Sequence, residues 1–473
     1  MQAFTVPEWT IAQGNFVPVL ASMLNAEVVT FGPSKRLPAW YKRVVASFEV
    51  SRHISTWPST EQAERARQSV DRLASSLRSN DDVFNFEIDG LRIGEDIYET
   101  YLRAGNPTVD LADTAFWDVL TQAMNLLIFW REYLDKNDVR AVIVSHDCYI
   151  DLNILARLAY QRGISVYLPN ARGLQQSRES HHIYATRFWR YPEMIVKLTR
   201  DERQQGIEIA RNALSRRLSG EVAVDMPYST KSAFQQTETL HLAKIDPRTT
   251  GVVIATHCFF DNPHAYGGMM FKDFWEWLNF VGTISLRTDY QWFIKVHPDY
   301  RPGTMRIIKE FVKRYPHIVL VPASTSFHEL KSRGVDVALT CYGSIAHELP
   351  LLGYRVVNCA YNPHVAYDFS MTAVTKDDYA EALLSLPDIK ISINEEHLYE
   401  FYYAHYYYTY VDDLVYLSHR QMLSELSPRD QRRTVAFQYY SRNTPHEHAL
   451  LSRQRMREFL LSDKDNFFVN GPE

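Results

Sequence analysis

The amino-acid sequence predicts an α/β protein with two Rossmann-like domains followed by C-terminal helices. Short apolar segments of strand length alternate with amphipathic segments of helix length, which is the pattern of parallel sheets covered by helices. The alternation occurs in two series, and the polar stretch 218–248 between them has no periodicity. A chain of 473 residues is also too long for one ordinary hydrophobic core.

These observations divide the chain into four parts. We predict an N-terminal Rossmann-like domain at 1–217, a linker at 218–248, a second Rossmann-like domain at 249–392 and a helical segment at 393–473. The last segment is rich in tyrosine, and we expect it to pack back on the N-terminal domain.

The first series contains three predicted strands. They are EVVTFG (27–32), AVIVSHD (141–147) and ISVYLPN (164–170). An amphipathic helix precedes the first of them, and a helix at 152–163 joins the other two. The segment 140–170 is therefore predicted to be a strand–helix–strand unit.

The second series is longer and more regular. Its predicted strands are GVVIATH (251–257), YQWFIKVHP (290–298), HIVLVP (317–322), VDVALT (335–340) and YRVVN (354–358), with helices at 271–284 and 304–316. In a doubly wound sheet of this kind, ligands bind outside the carboxyl ends of the strands.

The composition excludes several classes of protein. A net charge of −5 argues against a nucleic-acid partner. No apolar run approaches the roughly 20 residues of a membrane span, and the first residues do not resemble a signal peptide. Four cysteines without C-x-x-C spacing argue against structural zinc and a disulfide framework. We expect a cytoplasmic protein, and peripheral attachment to the inner membrane remains open.

Polar residues follow the first strand of the second series in ATHCFFDNPHAYGG (255–268). This segment offers His257, Asp261, Asn262 and His264 at one strand end. Polar residues placed after a buried strand are typical of binding or catalytic sites. The structural alternative is a solvated loop with an Asx-turn.

The next strand ends in IKVHPDYRPG (294–303). Lys295 and His297 alternate with apolar residues, so they share one face of the strand, and Pro298 ends the strand. A histidine in this position can donate to a phosphate, and Lys295 adds positive charge. The alternative is a histidine that only caps the strand.

A third candidate is the turn in VALTCYGSIAHELPLLGYRVV (337–357). Gly343 allows close approach of a ligand, and Ser344 is a predicted N-cap whose helix start attracts anions. Tyr342 and His347 flank this turn. Pro350 predicts a short or kinked helix. The hydroxyl groups of Ser324 and Thr325 form a weaker candidate in PASTSFHEL (322–330).

The first domain offers carboxylates for a catalytic role. Asp147 is at the end of the predicted strand AVIVSHD, and Glu179 lies in the polar loop NARGLQQSRESHH (170–182). The motifs of P-loop NTPases, classical dinucleotide dehydrogenases, zincin proteases and α/β-hydrolases do not occur.

Together these features resemble the GT-B glycosyltransferases. The two predicted α/β domains, the pair His297-Pro298 and the turn Gly343-Ser344 are similar to those of bacterial enzymes that use CMP-activated sugars, namely the Kdo and sialic-acid transferases. The segment IDGLRIGEDIYETYLRAG (88–105) also resembles part of bacterial capsule-synthesis proteins. The resemblance implies two domains that face a cleft.

The resemblance also implies a reaction and its residues. A CMP-sugar is the donor and a surface-polysaccharide oligosaccharide or glycolipid is the acceptor, with no cofactor and no metal. His297-Pro298 and Gly343-Ser344 correspond to the motifs that bind the CMP phosphate and ribose. Asp261 corresponds to the nucleophile of retaining Kdo transferases, and in an inverting enzyme it would be the general base. Glu179 or Asp147 would be its acid/base partner.

Other functions fit the same residues. A CDP-alcohol phosphotransferase or a nucleotide-sugar epimerase would use the same phosphate site. A non-catalytic polysaccharide-assembly protein would use the aromatic C-terminal region as a partner surface.

Overall fold

The computed structural model describes most of the chain. The described residues are 1–3, 7–170, 173–177, 183–226, 229–235, 244–408, 422, 425–427, 430, 434–443, 446–464 and 466–467. In chain order the strands are β1 (Val28–Gly32), β2 (Val50–Ser55), β3 (Glu87–Ile88), β4 (Leu91–Arg92), β5 (Ala141–Ile143), β6 (Ser165–Asn170), β7 (Gly173–Ser177), β8 (Gly251–Ala255), β9 (Gln291–Lys295), β10 (Val319–Val321), β11 (Val335–Thr340), β12 (Arg355–Asn358), β13 (Met371–Thr372) and β14 (Asn466–Phe467).

Helices alternate with these strands. In chain order the α-helices are α1 (Pro7–Leu24), α2 (Ala39–Ala46), α3 (Thr60–Leu73), α4 (Asn80–Phe84), α5 (Gly94–Arg103), α6 (Thr114–Lys136), α7 (Ile150–Gln161), α8 (Tyr191–Val196), α9 (Arg200–Leu218), α10 (Phe274–Ser285), α11 (Thr304–Arg314), α12 (Phe327–Ser332), α13 (Ile345–Glu348), α14 (Lys376–Leu384), α15 (Glu395–Tyr406), α16 (Thr434–Asn443) and α17 (His446–Leu460). Short 3₁₀ helices span Ile183–Arg190, Leu349–Leu352 and Leu386–Asp388.

The chain folds as two compact units. The first unit contains residues 1–101, 109–186 and 408–473, and the second contains 102–108 and 187–407. The α/β class predicted from the sequence is confirmed. The two units have different boundaries from the predicted domains, since α8 and α9 belong to the second unit. The linker boundaries and the cleft stay predictions.

The first unit is built on short strands that pair both in parallel and antiparallel. β1 pairs with β2, and residues 1–3 hydrogen-bond to both β1 and β5. β5 then pairs with β6 in parallel, and β6, β7 and β14 continue the sheet in antiparallel order. Helix α1 covers this layer, and Phe459 of α17 joins the same apolar core as Phe16 and Tyr167. The C-terminal helix therefore belongs to the core of this unit.

The second unit has one parallel sheet of six strands in the order β10-β9-β8-β11-β12-β13. Relative to β8 this order is 3-2-1-4-5-6, the arrangement of a Rossmann sheet. One face packs against α10, α11 and α14, and the other against α12 and α13. Phe234, from the predicted linker, is buried in the second of these cores. The sheet reverses its winding between β8 and β11, so the ligand crevice is expected outside their carboxyl ends.

The segment after β11 corrects one sequence prediction. Ser344 has helical backbone angles and makes no side-chain capping bond, so the predicted N-cap is wrong. Helix α13 has four residues and continues as the 3₁₀ helix Leu349–Leu352, which holds Pro350 in its first turn. A 3₁₀ turn tolerates proline there because the first N–H groups of a helix have no partner within it. Gly353 ends the segment with φ +75°.

No helix among the described residues is long and apolar enough to cross a bilayer.

Candidate functional site

His257 anchors the switch point between β8 and β11. Its Nε2 accepts hydrogen bonds from the backbone N–H groups of Cys341 (3.2 Å) and Tyr342 (3.3 Å), and lies 2.8 Å from the hydroxyl of Thr340. Because Nε2 accepts from two amides, the ring is neutral with its proton on Nδ1. The ring also stacks on Phe274 at 4.9 Å. His257 therefore shapes the turn after β11.

The same turn is closed tightly at Gly343. Its N–H donates to the Thr340 hydroxyl at 3.2 Å. A Cβ atom at Gly343 would lie 2.8 Å from that hydroxyl oxygen, closer than real Cβ contacts allow. A glycine is required here because the Thr340 side chain lies so close to its Cα, and not because of a positive φ.

Asp261 lies on the loop after β8, as predicted, and its side chain is exposed. Asn262 Oδ1 accepts from the N–H of His264 at 2.7 Å, which is the Asx-turn that the sequence allowed. His264 is buried, and its Nε2 lies 3.1 Å from the carbonyl of Phe271. The hydroxyl of Tyr342 donates to the carbonyl of Asn262 at 2.6 Å. Tyr342 thus ties the Asp261 loop to the turn after β11.

Lys295 is a buried cation at the end of β9. Its side chain is 2% exposed, and Nζ donates to the carbonyl of Ala323 at 2.7 Å. The ring of Phe327 lies 5.5 Å from Nζ. Burial lowers the pKa of Lys295 to about 8, so the group is still charged at neutral pH. Among the described residues no carboxylate pairs with Lys295, and a charge in this state favours an anionic ligand.

His297 follows β9 by two residues, and buried Pro298 comes next. The N–H of Asp299 donates to His297 Nδ1 at 3.1 Å, so a neutral ring carries its proton on Nε2. The Asp299 carboxylate in turn accepts a hydrogen bond from the N–H of Thr230 at 2.9 Å. Desolvation lowers the pKa of His297 in spite of the opposing charge of Asp299. The exposed ring therefore offers an Nε2–H donor at the sheet edge.

A buried ion pair lies beside this edge. Glu348 of α13 is 1% exposed and accepts a hydrogen bond from Arg217 Nε of α9 at 2.6 Å. The charge of Glu348 raises the pKa of His297 and that of Arg217 lowers it. Glu348 therefore fixes α9 to the helical turn that follows the glycine.

The amides at the start of α13 remain available. The backbone N–H groups of the preceding residues Cys341, Tyr342 and Gly343 already donate to His257 and Thr340. The N–H groups of Ser344 and Ile345 have no hydrogen-bond partner in the described part of the chain. A helix of one turn has little macrodipole, so these two donors act only as local hydrogen-bond groups.

The remaining predicted residues are Ser324 and Thr325, which directly follow the Lys295 partner Ala323, and Asp147 and Glu179. Ser324 and Thr325 precede α12, but Ser326 is its N-cap, accepting from the N–H of Glu329 at 3.1 Å. Asp147 lies in the first unit, in the turn between β5 and α7. Glu179 lies outside the described residues.

The turn that contains Asp147 is strained. Tyr149, two residues later, has φ +62° and ψ 151°, a conformation that costs a non-glycine residue about 1–3 kcal/mol. Strain of this kind is common at functional turns.

His347 of α13 is buried, and its protonation state affects how the stability of the protein depends on pH. Burial lowers the pKa of His257 and of His347 to about 3. An unfolded histidine titrates near ~6.5, so below that pH only the unfolded chain binds the proton. The free energy of unfolding should then fall by roughly 1.4 kcal/mol per pH unit for each histidine.

Urea unfolding at about pH 7 and about pH 5 measures this loss. The variant His347→Gln should be less sensitive to acid than the wild type by roughly 1.4 kcal/mol per pH unit. An identical pH dependence in the two proteins would contradict the neutral state of His347.

Sequence reasoning missed several residues of this site. Arg217, Thr230, Asp299 and Thr340 were not singled out as candidates. A polar residue next to a His-Pro pair was the available signal for Asp299. Arg217 and Thr230 come close only through folding, so no local pattern indicates them.

Comparisons with known proteins gave only distant similarities. No protein-family model matches the chain, and no curated protein matches it. Among solved structures, Thermosulfurimonas dismutans KpsC, a beta Kdo 2,4 transferase, is 12% identical with a TM-score of 0.34, covering 56% of this chain and 79% of that one. The KpsC beta Kdo 2,7 transferase of the same organism is 11% identical with a TM-score of 0.33, covering 79% and 89%.

A third similar structure is that of Anabaena HepE in complex with UDP. It is 11% identical with a TM-score of 0.28 and covers 90% of this chain and 98% of that one. Because these scores are low, the fold assignment rests on the strand order of the second unit itself.

Proposed function

We propose that the protein is a glycosyltransferase whose second unit binds the nucleotide of an activated sugar. The observation that carries the proposal is the strand order of the Rossmann sheet, which brings polar groups to its switch point. His257 and the turn at Gly343 meet there, Lys295 ends the neighbouring strand β9, and His297 follows that strand. This edge is where open α/β sheets bind nucleotides.

The donor that we propose is a CMP-sugar, with Kdo or a related nonulosonic acid as the transferred sugar. The resemblance of His297-Pro298 and Gly343-Ser344 to motifs of CMP-sugar transferases supports this choice. The acceptor is proposed to be a bacterial surface oligosaccharide or glycolipid. A glycolipid acceptor would bring the enzyme to the surface of the inner membrane.

The geometry supports stabilisation of the leaving group by protein groups alone. When the bond between the sugar and CMP breaks, negative charge develops on the phosphate. The Lys295 ammonium, the His297 Nε2–H and the amides of Ser344 and Ile345 are the donors available to it. We propose that these groups perform this role without a metal.

We propose that Asp261 acts at the anomeric carbon of the sugar or on the acceptor hydroxyl. As a nucleophile, its carboxylate would form a bond to the anomeric carbon while the bond to CMP breaks. As a general base, it would accept the proton of the attacking acceptor hydroxyl. The exposed position of Asp261 and its connection to Tyr342 suit either role.

A donor panel tests the proposal. The protein is incubated separately with CMP-Kdo, CMP-sialic acid, CDP-glycerol and UDP-sugars, and nucleotide release is measured. Release of CMP from a CMP-sugar alone supports the proposal. Release of CMP from CDP-glycerol would indicate a phosphotransferase, and conversion of a UDP-sugar without release of UDP would indicate an epimerase. Absence of any conversion would support a non-catalytic assembly protein.

Nucleotide binding should depend on His297. A ligand at 100 times its Kd stabilises the folded state by about 2.7 kcal/mol, so CMP should raise the melting temperature of the wild type by about 3 °C. In His297→Ala this shift should disappear, because the Nε2–H donor is lost.

The matched control is His317→Ala. His317 is an exposed histidine of the same unit whose Nε2 lies 2.8 Å from the Ser285 hydroxyl. The control should retain the CMP-induced shift. An undiminished shift in His297→Ala would remove His297 from the nucleotide site.

A further inference from the structure

Several polar side chains near α15 have buried atoms without hydrogen-bond partners in the described part of the chain. We define the buried polar cluster as His347, Asn358, Asn362, His364 and Tyr367. The atoms without partners are both ring nitrogens of His347, Nδ1 of His364, both amide atoms of Asn362, Oδ1 of Asn358 and the hydroxyl of Tyr367. The two histidines and Asn362 are at most 2% exposed.

The cluster is centred on the ring of Phe401. His347 lies 5.0 Å from this ring, His364 5.5 Å and Tyr367 6.0 Å, measured between ring centroids. His364 and Asn358 are linked because both hydrogen-bond to the Ser370 hydroxyl, at 2.8 Å and 2.9 Å. These contacts place His347, Asn358, His364 and Tyr367 in one region, and Asn362 lies two residues before His364 on the same loop.

The region adjoins the edge of the sheet that carries the candidate site. His347 belongs to the turn and helix after β11, and Asn358 is the last residue of β12. Asn362, His364 and Tyr367 lie on the loop between β12 and β13. That loop is irregular, so its movement would break no helix or strand.

The energetic cost of the cluster argues that something binds to it. A buried polar group without a partner costs about 1–3 kcal/mol, and native proteins rarely leave several together. The partner must supply both donors and acceptors, since imidazole, amide and phenol groups include both kinds.

The chemistry of the cluster favours uncharged hydroxyl groups as its ligands. Burial lowers the pKa of His347 and His364, so both rings are uncharged at neutral pH. The rings of Phe369 and Phe401 add apolar surface beside His364. Neutral donors and acceptors between aromatic rings suit the hydroxyl groups and C–H faces of a sugar.

We propose that the buried polar cluster binds the hydroxyl groups of the sugar that is attached to the nucleotide. This inference rests on the proposed function and assigns the sugar subsite within it. Lys295 and His297 hold the phosphate, and the cluster holds the transferred group.

Calorimetric titration with CMP and with CMP-sialic acid or CMP-Kdo tests the assignment. The variants are His347→Leu and Asn362→Leu, and the control is His317→Leu. Each cluster variant should bind CMP within about threefold of the wild type but bind the CMP-sugar about tenfold more weakly, which corresponds to the loss of one or two hydrogen bonds. The control should bind both ligands normally.

The possible failures are distinguishable. If the wild type binds neither ligand, the proposed function itself fails. If CMP-sugar affinity is unchanged in both cluster variants, the sugar assignment is overturned and the cluster holds only internal water.

Hydrogen–deuterium exchange of the wild type is a second test, and it needs no variant. CMP-sugar should protect residues 359–370 and CMP alone should not, and equal protection by the two ligands would overturn the assignment.

Discussion

Replacing Asp261 with alanine is expected to abolish sugar transfer while leaving nucleotide binding intact. The exposed carboxylate lies on the loop that Tyr342 ties to the turn after β11. Loss of a general base costs about 10²–10⁴-fold in rate, and loss of a nucleophile costs at least as much. Turnover of a CMP-sugar should therefore fall by about 10³-fold or more.

The measurement pairs steady-state release of CMP with a CMP titration. Asp289→Ala is the matched control, because Asp289 is an exposed aspartate of the same unit outside the site. The control should keep wild-type turnover. Wild-type turnover in Asp261→Ala would refute the role of Asp261, and loss of CMP binding would show that the carboxylate acts in binding.

Replacing Arg217 with methionine is expected to cause a large loss of stability. The change leaves the Glu348 carboxylate, which is 1% exposed, without its partner. Breaking a buried ion pair by removing one member costs about 3–5 kcal/mol. Urea unfolding of the two proteins at neutral pH should show this difference.

The neighbouring residue supplies the control. Arg216 pairs with Glu221 at the surface, where the two side chains are 53% and 45% exposed. Exposed pairs contribute about 0–1 kcal/mol, so Arg216→Met should be nearly neutral. Equal stability losses in the two variants would mean that the burial of Glu348 is unimportant.

The regular elements of the second unit were largely predictable from the sequence. The strand VDVALT (335–340) coincides with β11, because a short run of β-branched and apolar residues identifies a buried strand. The loop after β8 and the end of β9 were found for the same reason, since polar residues after such strands mark the edge of a parallel sheet.

What could not be predicted depends on contacts between distant residues. The pairing of Arg217 with Glu348 spans 131 positions, and no local pattern encodes it. Ser344 looked like a helix cap because residue type favours that role, but the turn around His257 holds its backbone in a helical conformation. His347 and His364 become neighbours, with ring centroids 6.0 Å apart, because they follow β11 and β12, which pair in the sheet.

The strand order of the second unit also affects how the chain folds. β8 lies between β9 and β11, and its second edge has no partner until residues 335–340 arrive. Pairing between strands so far apart in sequence pays a large loop-closure entropy, which slows folding. A growing chain released before β11 would expose the edge of β8, whose residues are all buried in the folded protein, and such edges recruit other chains. The strand at the centre of the candidate site is thus also a segment in need of protection during synthesis.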